Sequence, residues 1–239
     1  MESDTHIPDA LSPTALSPAA AAEQVGAFLR AVYGWMVAGL AVTAVTAGVV
    51  AANPGIVRAI VTNQLLFWGL IIAQFGVVIF LSARVQRLAP TTASLLFLGY
   101  SALTGTTLSL VLLAFTGESV AAMFLITAGM FGGLALYGTV TRRELTGLGQ
   151  FATMGLFGVV IASIVSLFWR NDMFQFILSV CGVITFTALT AWDARRLKAM
   201  ALALPDGRTG SYAVLGALRL YLDFINLFLF LLRLLGRRR

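Results

Sequence analysis

Residues 210–236 read GSYAVLGALRLYLDFINLFLFLLRLLG. The stretch is long enough to cross a bilayer, since about 20 apolar residues in a helix span a hydrocarbon core of ~30 Å. Yet it carries Arg219, Asp223, Asn226 and Arg233. Taken every third or fourth residue, Tyr212, Gly216, Arg219, Asp223, Asn226, Phe230 and Arg233 fall on one helical face, and the other faces are Leu, Phe and Ile. A charged side chain in a membrane costs ~2.5–3.5 kcal/mol on insertion scales, so such a stripe turns toward protein or a wet cavity and away from lipid. The stretch is expected to be a helix at the centre of a bundle, or one lining a pathway.

The rest of the chain fits that setting. Of 239 residues, 59% are hydrophobic and 11% charged, with a mean hydropathy of +0.92. An ordinary soluble domain carries roughly 25% charged residues. The apolar stretches are too long for the alternating strands of a membrane barrel. Spans are expected at 30–52, 64–83, 92–116, 119–140, 149–169, 173–194 and 211–235. The fold class is therefore all-α: a polytopic membrane protein of seven transmembrane helices. Short connections make consecutive helices antiparallel neighbours within one transmembrane domain, residues 28–236. Before it, residues 1–27 hold Glu2, Asp4, Asp9 and Glu23 among Ala, Ser and Pro, and are expected to be a disordered acidic tail. Ser12-Pro13 and Ser17-Pro18 oppose regular structure there. The tail has no basic stretch followed by a short apolar core, so it is not a cleavable signal peptide. Arg237, Arg238 and Arg239 form a basic C-terminal tail.

Arginine placement gives an orientation. Arg84 and Arg87, Arg142 and Arg143, then Arg195, Arg196, Lys198 and Arg208 follow spans two, four and six; the opposite loops hold only Arg58 and Arg170. Positive residues favour the inner side, so the N-terminus is expected inside. A complete seventh crossing then puts the three final arginines outside, against the rule; the alternative is a last segment that stops short. The net charge of +6 reflects these span ends, not a nucleic-acid surface, because no basic patch interleaved with aromatics lies in a soluble segment. Cys181 falls mid-span and is expected to be an inert packed thiol. The lone histidine, His6, is in the tail, so histidine-dependent catalysis or metal ligation inside the membrane is excluded. Glycines at helix-packing spacing, such as Gly129 and Gly133, are expected to admit close backbone approach.

A second acid stands in the preceding span, which ends TFTALTAWDARRLK, residues 185–198. Asp193 lies about twenty residues into its span, ~30 Å along the axis and near the inner boundary. Asp223 lies about twelve residues into an antiparallel span, ~18 Å along its own axis. The two meet only if one of the spans overruns the boundary. If they meet, they cannot both ionise cheaply, and they share a proton whose loss would drive the helices apart. The site would also take a cation, but two aspartates, Asn226 and a few carbonyls fall short of the six to eight oxygens of a tight calcium site. A weak, transient calcium site at Asp193 and Asp223 is the expectation. The structural alternatives are an ion pair of Arg219 with Asp223 at i and i+4, and one of Asp193 with Arg195 or Arg196.

ALRLYLDFINLFLFLLRLLG (217–236), LTAWDARRLK (189–198), LYGTVTRREL (136–145) and LGYSALTGTTLSL (98–110) resemble the transmembrane Bax inhibitor motif (Bax inhibitor-1-like) family, most closely its bacterial branch. The resemblance covers about residues 28–236. It implies a seven-helix bundle around a central last helix, and a pH-sensitive calcium leak gated by an aspartate pair, with Asp193 and Asp223 on the two motif positions. It implies a latch arginine near the inner end of the second helix, for which Arg84 and Arg87 are the candidates. It implies a bacterial inner membrane, no cofactor beyond calcium as permeant ion, and a monomer or weak oligomer in the lipid bilayer. It also implies an alternative role, modulation of a membrane-bound AAA protease, with the tail as handle. Arg219 departs from the pattern, since many relatives have a small polar residue there. A cation one turn from Asp223 favours the ionised form and leaves the pH range of gating open. Some relatives also carry an acid in the second helix, where this chain has Gln74.

Catalysis is not expected. An intramembrane aspartyl protease typically has Gly-x-Gly-Asp at its second acid; here the residues are Leu220, Tyr221, Leu222 and Asp223. Proton-coupled transport has no pair of broken helices to support it, because Pro54, Pro90 and Pro205 all fall in expected connections.

Overall fold

The computed structural model describes residues 17–141, 143–169, 171–204 and 209–239. Its helices are α1 (Pro18–Ala51), α2 (Pro54–Thr62), α3 (Gln64–Arg84), α4 (Pro90–Leu113), α5 (Gly117–Val140), α6 (Thr146–Phe168), α7 (Asp172–Ala203) and α8 (Thr209–Leu235), with a 3-10 turn, Val85–Arg87, after α3. All but the short α2 are long and apolar enough to cross a membrane, which makes seven. Their starts follow local chemistry. The side chains of Ser17, Asn63, Thr116 and Asn171 accept hydrogen bonds from the first-turn amides of α1, α3, α5 and α7. Pro18, Pro54 and Pro90 take the first positions of α1, α2 and α4, where no amide hydrogen is needed.

Helix α8 is the axis of the bundle. It packs against α1, α4, α5 and α7, while α3 rests on α4 and α6 rests on α7. The apolar faces of α8 are buried as deeply as its polar stripe. Leu220, Tyr221 and Leu227 are fully enclosed, whereas Arg219 and Asn226 on the stripe are half-buried. Close approach depends on particular glycines. A Cβ on Gly105 would meet the Thr43 carbonyl oxygen of α1 at 2.5 Å, and one on Gly138 would strike the Ala191 backbone of α7. Gly129 and Gly133, expected as contact points, face open space.

Two further expectations are corrected. The tail was expected to be disordered to residue 27, but α1 begins at Pro18, because Ser17-Pro18 is a helix cap and first turn. Residues 1–16, including His6, lie outside the described residues. Cys181 is exposed, because the buried face of α7 runs through Leu178, Gly182, Thr185 and Leu189 and leaves it on the outer side.

The last helix runs the full height of the bundle. Beyond it, the backbone of Arg237 and Arg239 pairs with the α4–α5 connection: Thr116 N donates to Arg237 O at 3.0 Å and Arg239 N to Ala114 O at 3.1 Å. Arg237 N also donates to Ser119 Oγ at 3.0 Å. The final arginines thus sit at the end of the bundle opposite the α7–α8 connection.

Candidate functional site

Two overruns bring the acids of α7 and α8 to one level. Helix α7 continues past Asp193 to Ala203, about ten residues or ~15 Å. Helix α8 starts at Thr209, about fourteen residues or ~21 Å before Asp223. The α7 extension is held at both flanks. Gln24 of α1 donates through Nε2 to Ala201 O at 3.1 Å and Leu204 O at 3.4 Å, which satisfies carbonyls that a helix end leaves open. Arg195 Nη1 donates to Thr141 O at 2.9 Å and Lys198 Nζ to Thr139 O at 2.8 Å, so two cations cap the C-terminal end of α5. At the start of α8, Ser211 Oγ donates to Leu88 O at 2.8 Å.

Asp193 is 9% exposed and Asp223 5%. Their carboxyl groups lie within hydrogen-bonding reach of each other. Two carboxylates in such a place repel when both are ionised, and a proton shared between them would relieve that repulsion. Oδ2 of Asp223 is buried and has no hydrogen-bond partner. Arg219, one turn before Asp223 on α8, and Arg196, three residues after Asp193 on α7, are the cations on the helix faces that carry the two acids. Arg196 lies over the Trp192 ring, 5.4 Å from its centroid. Arg195 is engaged by the α5 carbonyl and is not among these cations.

The other expected site residues are placed apart. Asn226 donates through Nδ2 to Leu222 O of its own helix at 2.8 Å, one turn beyond Asp223. Arg84 and Arg87 are exposed at the end of α3, and neither is among the cations beside the pair. The reason is positional. Helix α3 rests on α4, and the 3-10 turn after it reaches α8 near Ser211, about twelve residues or ~18 Å from Asp223. Arg84 and Arg87, the candidates for a latch, thus stand apart from the pair. Arg196 was legible only as an alternative partner of Asp193; Gln24, assigned to the tail, carried no signal. Gln74 donates to Thr107 Oγ1 at 3.2 Å and ties α3 to α4, away from the pair.

Among the described residues no group of three or more His, Cys, Asp or Glu could hold a metal ion. The pair therefore offers a cation two carboxylates and no third acidic ligand.

The family model described as "Inhibitor of apoptosis-promoting Bax1" matches residues 25–239. The chain is 44% identical over 215 residues to "Inner membrane protein YbhL" of Escherichia coli (strain K12), covering 89% of this chain and 92% of that protein. It is 44% identical over 214 residues to an uncharacterized protein of Borreliella burgdorferi, covering 89% and 92%. It is 39% identical over 213 residues to one of Deinococcus radiodurans, covering 89% and 91%.

Proposed function

Because the chain belongs to the Bax inhibitor-1-like family, we propose that it is a proton-sensitive cation leak of a bacterial inner membrane, with calcium as the permeant ion and the Asp193–Asp223 pair as its gate. The observation that carries this reading is the contact of two buried carboxyls from neighbouring helices, with one oxygen unpartnered. In the closed state a shared proton fastens α7 to α8. Loss of that proton leaves two anions in contact, and their repulsion separates the helices. The separated carboxylates then receive a cation. With only two of them, binding is weak enough for the ion to leave, as transit requires and storage does not. A divalent ion moving inward gains ~4.6 kcal/mol per 100 mV, so a passive path suffices.

Arg219 and Arg196 give the gate its own character. As the pair ionises, both guanidiniums partly neutralise it, which lessens the repulsion and competes with the entering cation. The N-terminus is assigned to the cytoplasmic side from the arginine distribution. The inner membrane is supported by the printed name of the Escherichia coli relative.

Calcium flux into proteoliposomes across a range of pH tests the reading. Wild-type flux should change with pH, and Asp193→Asn and Asp223→Asn should each remove that dependence. Flux that is the same in wild type and both variants at every pH would refute it.

A further inference from the structure

Helices α1 and α5 both pack on α8 but scarcely meet each other, and a cleft with α8 as its floor runs between them. It holds two apolar cavities. The larger, of about 640 Å³, lies toward the α7–α8 end of the bundle, between residues 33–44 of α1 and 124–139 of α5. The smaller, of about 500 Å³, continues toward the opposite end, between residues 40–48 and 117–125. Leu40, Ala44, Phe124 and Phe224 border both cavities and form a waist between them. Along α1 the larger cavity covers about eleven residues or ~17 Å, roughly half of a hydrocarbon core of ~30 Å. It therefore matches the depth of one leaflet.

The lining indicates the occupant. Ala41, Ala128 and Gly132 are small and exposed, over a floor of buried Met36, Phe131 and Phe224. At this depth such a surface is bathed by acyl chains. At the α7–α8 end the chemistry changes. Thr139 is the last cavity residue of α5, and its carbonyl accepts from Lys198 Nζ at 2.8 Å. An ammonium has three donors, so this bond leaves Lys198 two more. Across the cleft, the exposed Arg30 continues the lining stripe of α1 through Tyr33, Val37, Ala41 and Ala44. The two cations are level, because Leu197 and Val32, their near neighbours in sequence, both lie against Gly216. Basic clusters between membrane helices at the cytoplasmic side take anionic headgroups. A membrane helix, ~10 Å across, would instead run through both cavities, and the waist interrupts that course. We propose that the cleft binds one anionic glycerophospholipid, with an acyl chain in the larger cavity and its phosphate on Arg30 and Lys198. The site is independent of the carboxyl pair and of the leak reading.

Native mass spectrometry of the detergent-solubilised full chain tests the site, with phosphatidylglycerol or phosphatidylcholine of the same acyl chains added. The wild type should retain one phosphatidylglycerol several-fold more often than one phosphatidylcholine. Arg30→Gln, at an exposed position, should remove that preference without lowering phosphatidylcholine retention. Ala128→Phe, which fills the larger cavity, should lower retention of both lipids several-fold. Equal retention of the two lipids by the wild type would overturn the proposal without any variant having to fold. A preference that survives Arg30→Gln undiminished would overturn it too. So would a dimer that retains no lipid, which would give the cleft to a second copy of the chain.

Discussion

Helices α3 and α8 are both apolar, and they occupy opposite environments. Helix α3 has the higher mean hydropathy over its most apolar window, 2.3 against 1.8, yet 6% of that window is buried in the protein against 78% for α8. In water the more apolar helix would go inside. In a bilayer, lipid solvates apolar side chains as well as protein does, so hydrophobicity gives no preference for the interior. Charged and hydrogen-bonding groups do give one, because lipid cannot satisfy them. Arg219, Asp223, Asn226 and the Tyr221 hydroxyl therefore draw α8 to the centre, and α3, with Gln74 as its one polar side chain between Trp68 and Ser82, stays at the rim.

That contrast can be broken by paired substitutions, measured as unfolding free energy in bicelles. The largest difference is expected for Phe224→Ala against Phe75→Ala. Phe224 is 3% exposed and meets Phe124 and Phe131 edge to face, so its loss should cost ~3–5 kcal/mol. Phe75, 67% exposed, should change stability by no more than ~0.5 kcal/mol. Equal costs would mean that α3 is covered by something absent from the bundle. Next is Gly216→Ala against Gly76→Ala. A Cβ on Gly216 meets Leu197 Cδ2 at 2.7 Å, which should cost ~1–3 kcal/mol. Gly76 faces open space, and alanine there should stabilise by ~0.5–1 kcal/mol through helix propensity. The smallest effect is Gln74→Leu, which removes an interhelical hydrogen bond worth ~0.6 kcal/mol on average. A larger loss would show that this one polar contact fixes α3 in place.

Much of this architecture was legible in the chain. Charge-free lengths located all seven spans to within a few residues, except where helices extend into water. There periodicity changes no composition: α1 starts at Pro18 and α7 runs to Ala203 through segments that look like tail and loop. Those overruns set the register that joins Asp193 to Asp223, so the meeting of the acids could be posed from sequence but not decided. The polar stripe of α8 identified the central helix and placed Asp223 and Arg219 together. It did not reveal the hydrogen bonds that join Tyr221, Thr43 and Ser101 on the other side, because Thr43 and Ser101 look like ordinary helix-packing residues until α1 and α4 are brought against Tyr221. The latch arginine was sought on the second span by resemblance, and the packing of α3 on α4 keeps Arg84 and Arg87 from that place.

In the proposed gate a shared proton holds α7 to α8 at one carboxyl contact. Structures of the protein in lipid nanodiscs at acidic and at alkaline pH would measure the Asp193–Asp223 separation directly. The carboxyls should be in hydrogen-bonding contact at acidic pH and parted at alkaline pH, with α7 displaced from α8. Carboxyls in contact at both pH values, in a protein whose flux still responds to pH, would contradict it.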